Sequence, residues 1–377
     1  MQTVLVVGGG IAGPALAYWL HRHGFAPTVV ERAPAPRPGG QAVDVRGVAL
    51  DAVERMGLLE QARSMRTRMR GMSILDPEGH ETDRSTEATY SSGRLGGADI
   101  ELLREDLVRL VYARTRTDVE YVFGDGVTAL DEDETGVRVG FVHGDSRTFD
   151  LVIGADGLHS TVRRLAFGPE ARFSHHLGSY LSVFSADNFL ALDHWQLWLR
   201  DGDAGFGIMP VRDNAELRIA FGFRSPPLGR DPRGDGDGDG TLRHLVVDRL
   251  AALRWEGARL AEAARKAPDF YCDAMAQIRM DHWSRGRVAL LGDAGYCPSP
   301  LSGQGTSLAL AGAYVLADCL AGAQDDHRAA FTRYERRMRD FVNLNQALAT
   351  ENPGGPAAEA SVTRAKHALT LDAPSKP

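Results

Sequence analysis

TVLVVGGGIAGPALAYWLHRHGFAPTVVE, residues 3–31, is the stretch that decides the fold of this chain. Its first six residues form a continuous apolar run, which is typical of a strand buried on both faces of a parallel sheet. Glycines follow, then apolar residues at helical spacing from Ala12 to Gly24 and a second apolar run from Pro27 to Glu31. A strand, a helix and a second strand within about 30 residues predict a βαβ unit. We therefore expect a Rossmann-like α/β domain.

The glycines after the first strand have the spacing of a phosphate-binding turn. Gly8, Gly10 and Gly13 fit the pattern G-x-G-x-x-G, in which the first allows a tight turn, the second admits a pyrophosphate and the third lets helix pack on strand. The helix N-terminus there offers free N–H groups to the phosphates. Glu31 ends the second strand, where a carboxylate binds ribose hydroxyls. A dinucleotide site is predicted, but the motif does not distinguish NAD from FAD.

Two later stretches also run from an apolar strand into a turn that contains Gly and Asp. They are DLVIGADGLHSTVR, residues 150–163, and VALLGDAGYCPSPLSGQG, residues 288–305. Each alone is a weak signal. Their order and spacing, taken with the first turn, indicate that three segments far apart in the chain bind one large anionic cofactor.

The remaining patterns predict a mixed architecture. Helical spacing over 50–59 and 100–114 predicts two helices, and alternation over 119–153 predicts a β-meander that leads into the second stretch. Residues 172–224 alternate again and predict an antiparallel sheet. Helices are expected over 242–265, 303–323 and 326–350, with a strand over 286–291.

These elements predict a discontinuous domain organisation. We expect a cofactor-binding domain from 1–71, 97–171 and 279–350, and an interleaved substrate-binding domain from 72–96 and 172–278. The segment 351–377, rich in Ala, Pro and Gly, is expected to be a poorly ordered tail. The run GRDPRGDGDGDG at 229–240 is expected to be a solvated loop; its alternating aspartates resemble the start of a calcium loop but lack the acid at the twelfth position.

Composition limits the possible partners and setting. The net charge of −7 gives no basic footprint for nucleic acid, and no apolar stretch has the roughly 20 residues needed to span a membrane. The first residues lack a signal-peptide pattern. Three cysteines without CxxC spacing indicate neither a disulfide framework nor a zinc site, so we expect no metal and a reduced, cytoplasmic setting.

The second and third stretches resemble motifs of the FAD-dependent class A aromatic hydroxylases, which include para-hydroxybenzoate hydroxylase. The chain is most similar in character to the short tetracycline-inactivating and polyketide-tailoring members. The family pattern D-G-x-x-S-x-V-R matches residues 156–163, and the family's Gly-Asp segment matches residues 292–294. The resemblance covers about residues 1–345. It implies a Rossmann-like FAD-binding domain, an antiparallel substrate domain and long C-terminal helices.

The resemblance also implies roles for individual residues. Asp156 belongs to a segment that serves both FAD and nicotinamide, and Asp293, after Gly292, bonds the ribityl chain. The turn that passes near the flavin ring matches Pro300, Gly303, Gln304 and Gly305. Arg104 matches an arginine that reaches the cofactor backbone. Arg32 and Arg37 are candidates for the adenine side and the ring side, with a solvated surface arginine as the alternative for each.

The function implied by the resemblance is hydroxylation of an aromatic or polyketide-like small molecule. NAD(P)H would reduce the flavin without a nucleotide domain of its own, and reduced FAD would capture O₂ as a C4a-hydroperoxide. This chemistry demands no acid or base from the protein, so no catalytic residue is assigned. A monomer or homodimer is expected.

Two other functions stay open from the sequence. One is an FAD-binding cyclase or dehydrogenase of the same fold that inserts no oxygen, and the other is a non-catalytic ligand-binding flavoprotein. Trp195 and Trp198 superficially resemble a flavin-halogenase motif, but no lysine lies between residues 1 and 265. These tryptophans instead indicate aromatics that pack the substrate region, where Phe206, Met209, Phe221 and Phe223 are candidate wall residues.

Overall fold

The computed structural model describes residues 1–228, 238–323, 325–352 and 355–371. The strands are β1 (Thr3–Val7), β2 (Ala26–Glu31), β3 (Ala42–Val45), β4 (Gly71–Leu75), β5 (Glu81–Ser85), β6 (Ala88–Thr89), β7 (Gly93–Arg94), β8 (Ile100–Leu103), β9 (Glu120–Phe123), β10 (Val127–Glu132), β11 (Val137–Phe141), β12 (Arg147–Phe149), β13 (Leu151–Gly154), β14 (Ser174–Asp187), β15 (Trp195–Asp201), β16 (Ala204–Val211), β17 (Glu216–Arg224), β18 (Tyr271–Ile278), β19 (Ser284–Arg285) and β20 (Val288–Leu290). The helices are α1 (Ala12–Arg22), α2 (Val48–Arg55), α3 (Leu59–Ser64), α4 (Arg104–Thr115), α5 (Thr161–Phe167), α6 (Gly238–Ala251), α7 (Gly257–Lys266), α8 (Asp293–Tyr296), α9 (Gly305–Ala321), α10 (His327–Glu351) and α11 (Glu359–Lys366).

The first large sheet contains the strands of all three glycine- and aspartate-bearing stretches. Its order is β19-β20-β13-β1-β2-β9, and β1 lies between β2 and β13 with parallel pairing on both sides. Because parallel strands end at the same edge, the turns after β1, β13 and β20 meet there. The apolar helix α9 packs against α1 and α10 beside this sheet. The Rossmann-like α/β expectation is confirmed.

The second large sheet is mainly antiparallel and has the order β18-β14-β17-β16-β15-β4-β5, with a parallel pair between β15 and β4. One of its faces packs on α6 and α7. Leu199, Phe206, Phe221 and Phe223 lie in that hydrophobic cluster. Since side chains alternate along a strand, the neighbouring positions face the opposite way, toward the first sheet. The antiparallel sheet expected over 172–224 is confirmed, and it also recruits β4, β5 and β18.

Several predicted elements differ in detail. The helix expected over 100–114 begins only at Arg104, because 100–103 form β8 and pair with β3. The helix expected over 50–59 is two short helices, separated where Gly57 adopts a φ of 74°. The region 242–265 is likewise divided between α6 and α7. Within 119–153 only β10 to β12 form an antiparallel unit, whereas β9 and β13 join the parallel sheet.

The segment expected to be a poorly ordered tail contains a helix. Lys366 in α11 forms an ion pair of 2.7 Å with Asp99, and Leu371 is buried in the main core. The expectation was therefore wrong for 355–371. The loop and calcium hypotheses for 229–240 fall largely on residues 229–237, which lie outside the described ranges. Within those ranges, none of the helices has the length and apolar character needed to cross a membrane.

Candidate functional site

Residues from all three glycine- and aspartate-bearing stretches line one cleft. It has a volume of about 2270 Å³, well above the 300–1,000 Å³ of an ordinary small-molecule pocket, and residues of both large sheets line it. A cavity of this size has room for a cofactor and a substrate together. The predicted residues that line it are Gly8, Gly10, Glu31, Arg32, Arg37, Arg104, Asp156, Asp293, Pro300, Gly303, Gln304 and Gly305. Gly13 and Gly292 are absent from its wall.

The three glycines of the first turn have different surroundings. Gly8 has a φ of 116°, and a Cβ there would overlap the carbonyl oxygen of Ala155. A Cβ on Gly13 would overlap the carbonyl oxygen of Gly8, so this glycine lets α1 pack on the turn. At Gly10 a Cβ would have no described atom within 4 Å. Gly10 therefore keeps the cleft side of the turn open, whereas the other two permit the turn itself.

Glu31 is held against the glycine turn. Its carboxylate accepts hydrogen bonds from the backbone N–H of Gly9 at 2.7 Å and of Ala33 at 2.9 Å. Beside it, the N-terminus of α1 has no acidic residue in its first turn and no side-chain cap from any described residue. Free N–H groups and the positive end of the helix dipole are thus available to an anion beside the Glu31 carboxylate.

Asp156 organises the start of α5. Its carboxylate accepts from the Ser160 hydroxyl at 2.5 Å and from the backbone N–H of Thr161 at 2.6 Å. Burial nevertheless raises the pKa of Asp156, since desolvation outweighs these hydrogen bonds. The residue lines the cleft, but its oxygens already serve the helix. Its contact with a cofactor stays a prediction.

Arg163 joins the second stretch to the third. The side chain is fully buried and donates to the carbonyl oxygen of Ala294 at 2.8 Å and to that of Leu158 at 2.6 Å. It also pairs with the Glu170 carboxylate at 2.7 Å. The arginine of the D-G-x-x-S-x-V-R pattern is therefore a link between two cofactor-side turns, a role that its place in the motif did not reveal.

Asp293 lines the cleft. Gly292 before it has a φ of 63°, which favours glycine, and leads directly into α8. The Asp293 side chain is exposed to the cleft but enclosed by protein on its other sides. This burial raises the pKa of Asp293, while a hydrogen bond with Cys297 and the positive charge of Arg104 act in the opposite direction. The carboxylate is well placed to accept hydrogen bonds from a ligand.

Arg104 lies among the residues of the first and third turns. Its backbone N–H donates to the carbonyl oxygen of Gln41 at 3.1 Å, and its side chain passes close to Gly40. Burial and the nearby charge of Arg37 lower the pKa of Arg104, while Glu31 and Asp293 act in the opposite direction. Arg32 and Arg37 are exposed at the rim.

The turn 300–305 contains buried polar atoms without protein partners. Gln304 is fully buried, and neither atom of its side-chain amide has a hydrogen-bond partner among the described residues. The hydroxyl of Ser302 is in the same situation. An unsatisfied buried polar group costs about 1–3 kcal/mol, so such atoms call for a ligand. The N-terminus of α9 follows at Gly305, again with no side-chain cap from the described part of the chain.

The sequence interpretation missed a buried polar cluster beside this turn. Arg46, after β3, pairs with Asp44 at 2.8 Å and donates to the backbone carbonyl oxygen of Ser91 at 3.1 Å. Burial raises the pKa of Asp44 well above its ordinary value, although Arg46 acts in the opposite direction. A Cβ on Gly303 would lie 3.8 Å from the Arg46 guanidinium. The sequence signal that could have predicted this cluster is the alternation of charged and apolar residues in AVDVR, residues 42–46.

His159, inside the second stretch, is clamped between two carboxylates. Its Nδ1 lies 2.8 Å from Glu170 and its Nε2 lies 2.8 Å from Asp273, whose carboxylate also accepts from the Tyr271 hydroxyl at 3.0 Å. Burial disfavours the charged imidazole, but the two carboxylates outweigh it and raise the pKa of His159 to about 9. At neutral pH this histidine is a half-buried cation that ties the turn before α5 to β18.

The raised pKa makes stability depend on pH. The pKa of His159 is about 9 in the folded protein and 6.5 in the unfolded chain. Its protonation therefore stabilises the fold fully below pH 6.5, and this contribution to the free energy of unfolding is lost as the pH rises through 9. The loss is on the order of 3 kcal/mol. Urea unfolding of wild type and His159→Gln between pH 6.5 and 9.5 should show a steeper decline in the wild-type free energy of unfolding. Equal declines would contradict the assignment of this clamp.

The residues present fit a flavin dinucleotide. Two uncapped helix N-termini, an open glycine, a ribose-side carboxylate and unpartnered polar atoms at Ser302 and Gln304 all belong to one region, and most line one cleft. No group of three or more His, Cys, Asp or Glu side chains in the described ranges could hold a metal ion. The helix N-termini and the open glycine turn suit the phosphates of a flavin dinucleotide.

Comparison with known proteins identifies the class. A family model described as an FAD binding domain matches residues 1–347. The chain belongs to this family, the FAD-dependent class A flavoprotein monooxygenases, as the sequence motifs implied.

Individual relatives are consistent with this family assignment. A flavin-dependent monooxygenase of Legionella longbeachae is 39% identical over 346 residues, covering 91% of this chain and 86% of the relative. An uncharacterized protein of Mycobacterium tuberculosis is 50% identical over 373 residues, covering 98% and 99%. The solved tetracycline destructase Tet(51) is 33% identical, with a TM-score of 0.87 and 99% of each chain covered. The expectation of an FAD-dependent monooxygenase is confirmed at the level of the enzyme class.

Proposed function

We propose that this monooxygenase consumes NAD(P)H and O₂ and hydroxylates an aromatic or polyketide-like polycyclic molecule. The observation that carries the proposal is one large cleft, in which the three motif stretches form one side and the open face of the second sheet forms the other. The reaction balances as substrate–H, O₂, NAD(P)H and a proton giving substrate–OH, water and NAD(P)⁺. Bound FAD supplies the acceptance of hydride and the activation of oxygen.

The residues of the first turn would hold the nucleotide half of the cofactor. The N–H groups at the start of α1 and the open surface at Gly10 suit a pyrophosphate, and the Glu31 carboxylate suits ribose hydroxyls. Arg104, close to both Glu31 and Asp293, supplies a fixed positive charge for the phosphates. Asp293 would accept hydrogen bonds from the ribityl chain.

The turn 300–305 would hold the ring half. Gln304 and Ser302 supply unpartnered polar atoms, and the N-terminus of α9 supplies a positive dipole where a reduced flavin carries negative charge. The substrate would lie against the regions 72–96 and 172–278, which we propose as the substrate domain. Enclosure between the two sheets would exclude water from the reacting atoms.

The decisive experiment uses the FAD-loaded protein with NADH or NADPH, tetracycline and a set of phenols. Tetracycline is included because Tet(51) is described as a tetracycline destructase. We expect ring-containing substrates to stimulate NAD(P)H and O₂ consumption in equal amounts, with mass spectrometry showing a gain of one oxygen atom. An isomeric or dehydrogenated product formed without NAD(P)H use would establish the cyclase or dehydrogenase alternative. An FAD-loaded protein that binds these compounds but consumes no NAD(P)H or O₂ and converts none of them would indicate the non-catalytic ligand-binding role.

A further inference from the structure

Trp198 stands on the face of the second sheet that is open to the cleft. In the register of β15, β16 and β17 it lies beside Gly207, and Gly207 lies beside Ala220. All three line the cleft. A Cβ on Gly207 would lie 2.7 Å from two carbons of the indole ring, so the ring lies over this glycine. The indole therefore extends the flat surface of the strands.

The indole N–H is fully committed to the protein. It donates at 3.0 Å to the side-chain oxygen of Gln196, which is fully buried, and the Gln196 amide donates at 2.7 Å to the Ser91 hydroxyl. Arg46, beside the turn 300–305, donates to the carbonyl oxygen of Ser91. This chain fixes the orientation of Trp198 relative to the ring side of the cofactor site. Trp198 therefore presents only its apolar ring surface to the cleft.

Small residues continue the surface beside Trp198. Gly205 pairs with Gly222, and Gly207 pairs with Ala220, so two positions on each of two neighbouring strands carry almost no side chain. Strand spacing and residue rise make this area about 5 Å by 7 Å. Tyr90, 44% exposed, packs edge-on against Trp198 with ring centroids 5.4 Å apart. The shape is a low, flat floor with an aromatic border.

We infer that Trp198, bordered by Tyr90 and positioned by Gln196, determines specificity by stacking on the flat part of a fused-ring substrate. The inference rests on the proposed function and adds the residues that select the substrate. A single ring can cover either the indole or the small-residue floor, whereas fused rings contact both. We therefore expect the site to prefer substrates with fused rings over substrates with a single ring.

The test compares FAD-loaded Trp198→Leu with Trp195→Leu. Trp195 is the matched control because it points away from the cleft, donating to Ser73 at 2.8 Å and stacking under Arg84. Calorimetry with tetracycline and with 4-hydroxybenzoate gives the affinities. We expect Trp198→Leu to weaken tetracycline binding about 3–10-fold, the range for a lost aromatic contact, and 4-hydroxybenzoate less than 2-fold. Trp195→Leu should change neither.

Gln196→Leu tests the positioning role. It should raise the KM for tetracycline with little change in kcat, and it should add nothing in the Trp198→Leu background, as expected for residues acting as one unit. The inference is overturned if Trp198→Leu leaves tetracycline affinity unchanged, if both probes weaken equally, or if the FAD-loaded wild type binds no tetracycline. Failure of the proposed function is recognised separately, as absent FAD uptake or absent NAD(P)H-dependent O₂ consumption.

Discussion

Gly13→Ala is expected to abolish the native fold of the cofactor domain, whereas Gly10→Ala is expected to leave it intact. A Cβ at Gly13 would overlap the backbone carbonyl of Gly8, and a backbone atom cannot rotate away as a side chain does. Overpacking typically costs about 1–3 kcal/mol and occasionally more, and an overlap with a backbone oxygen belongs at or above the upper end of that range. Far-UV circular dichroism and urea unfolding of the apoprotein measure the effect.

Gly10→Ala supplies the control. Because no described atom lies within 4 Å of its Cβ position, the free energy of unfolding of the apoprotein should change by less than about 1 kcal/mol. The same methyl group would occupy the side of the turn that we propose approaches the pyrophosphate, so FAD affinity should fall. Equal stability of the two variants would show that α1 packs on the turn differently. Unchanged FAD affinity in Gly10→Ala would place the pyrophosphate elsewhere.

Asp293→Ala is expected to weaken FAD binding roughly 10- to 150-fold. A hydrogen bond to a charged acceptor contributes about 1.5–3 kcal/mol, and the family resemblance assigns the ribityl hydroxyls to this carboxylate. The pKa of Asp293 is raised by burial, so its charged form already disfavours folding at neutral pH. The apoprotein should therefore be no less stable after the substitution. Flavin fluorescence titration measures the affinity.

Asp51→Ala is the matched control for Asp293→Ala, because Asp51 is exposed on α2 and lies outside the cleft wall. It should bind FAD as the wild type does. If Asp293→Ala retained full FAD affinity, the assignment of the turn at 292–305 to the cofactor would be wrong.

The glycine turn could be predicted from sequence because the spacing of its glycines is a local pattern. Gly13 is required by the Gly8 carbonyl of the same strand–turn–helix unit, whereas the Ala155 carbonyl that a Cβ at Gly8 would overlap lies outside that unit and gave no local signal. The strand at 100–103 could not be predicted from sequence, because its apolar spacing continues the helical pattern of α4. Pairing with β3, some sixty residues earlier, makes it a strand. Tertiary context overrode the local pattern there.

The substrate side was less predictable for a similar reason. Alternation shows that residues of β16 and β17 face two ways but not which way faces the cleft. Of the wall candidates, Phe206 and Phe223 pack in the cluster with α6 and α7 and also line the cleft, whereas Phe221 and Met209 do not line it. The glycines between the phenylalanines line the cleft as well. Arg46, Ser91 and Gln196 lie far apart in the sequence, so their cluster carries no local signal.

The burial of Arg163 has a consequence for biosynthesis. One of its acceptors, the carbonyl oxygen of Ala294, is more than 100 residues further along the chain. At about 5–20 residues per second, the ribosome needs roughly 7–26 s to advance the 131 residues from Arg163 to Ala294. Throughout that interval the nascent chain carries the Arg163 guanidinium without this acceptor, and the strand β20 that pairs with β13 has not been made. Newly made chains thus pass through a period in which chaperones or proteases can engage them before any cofactor can.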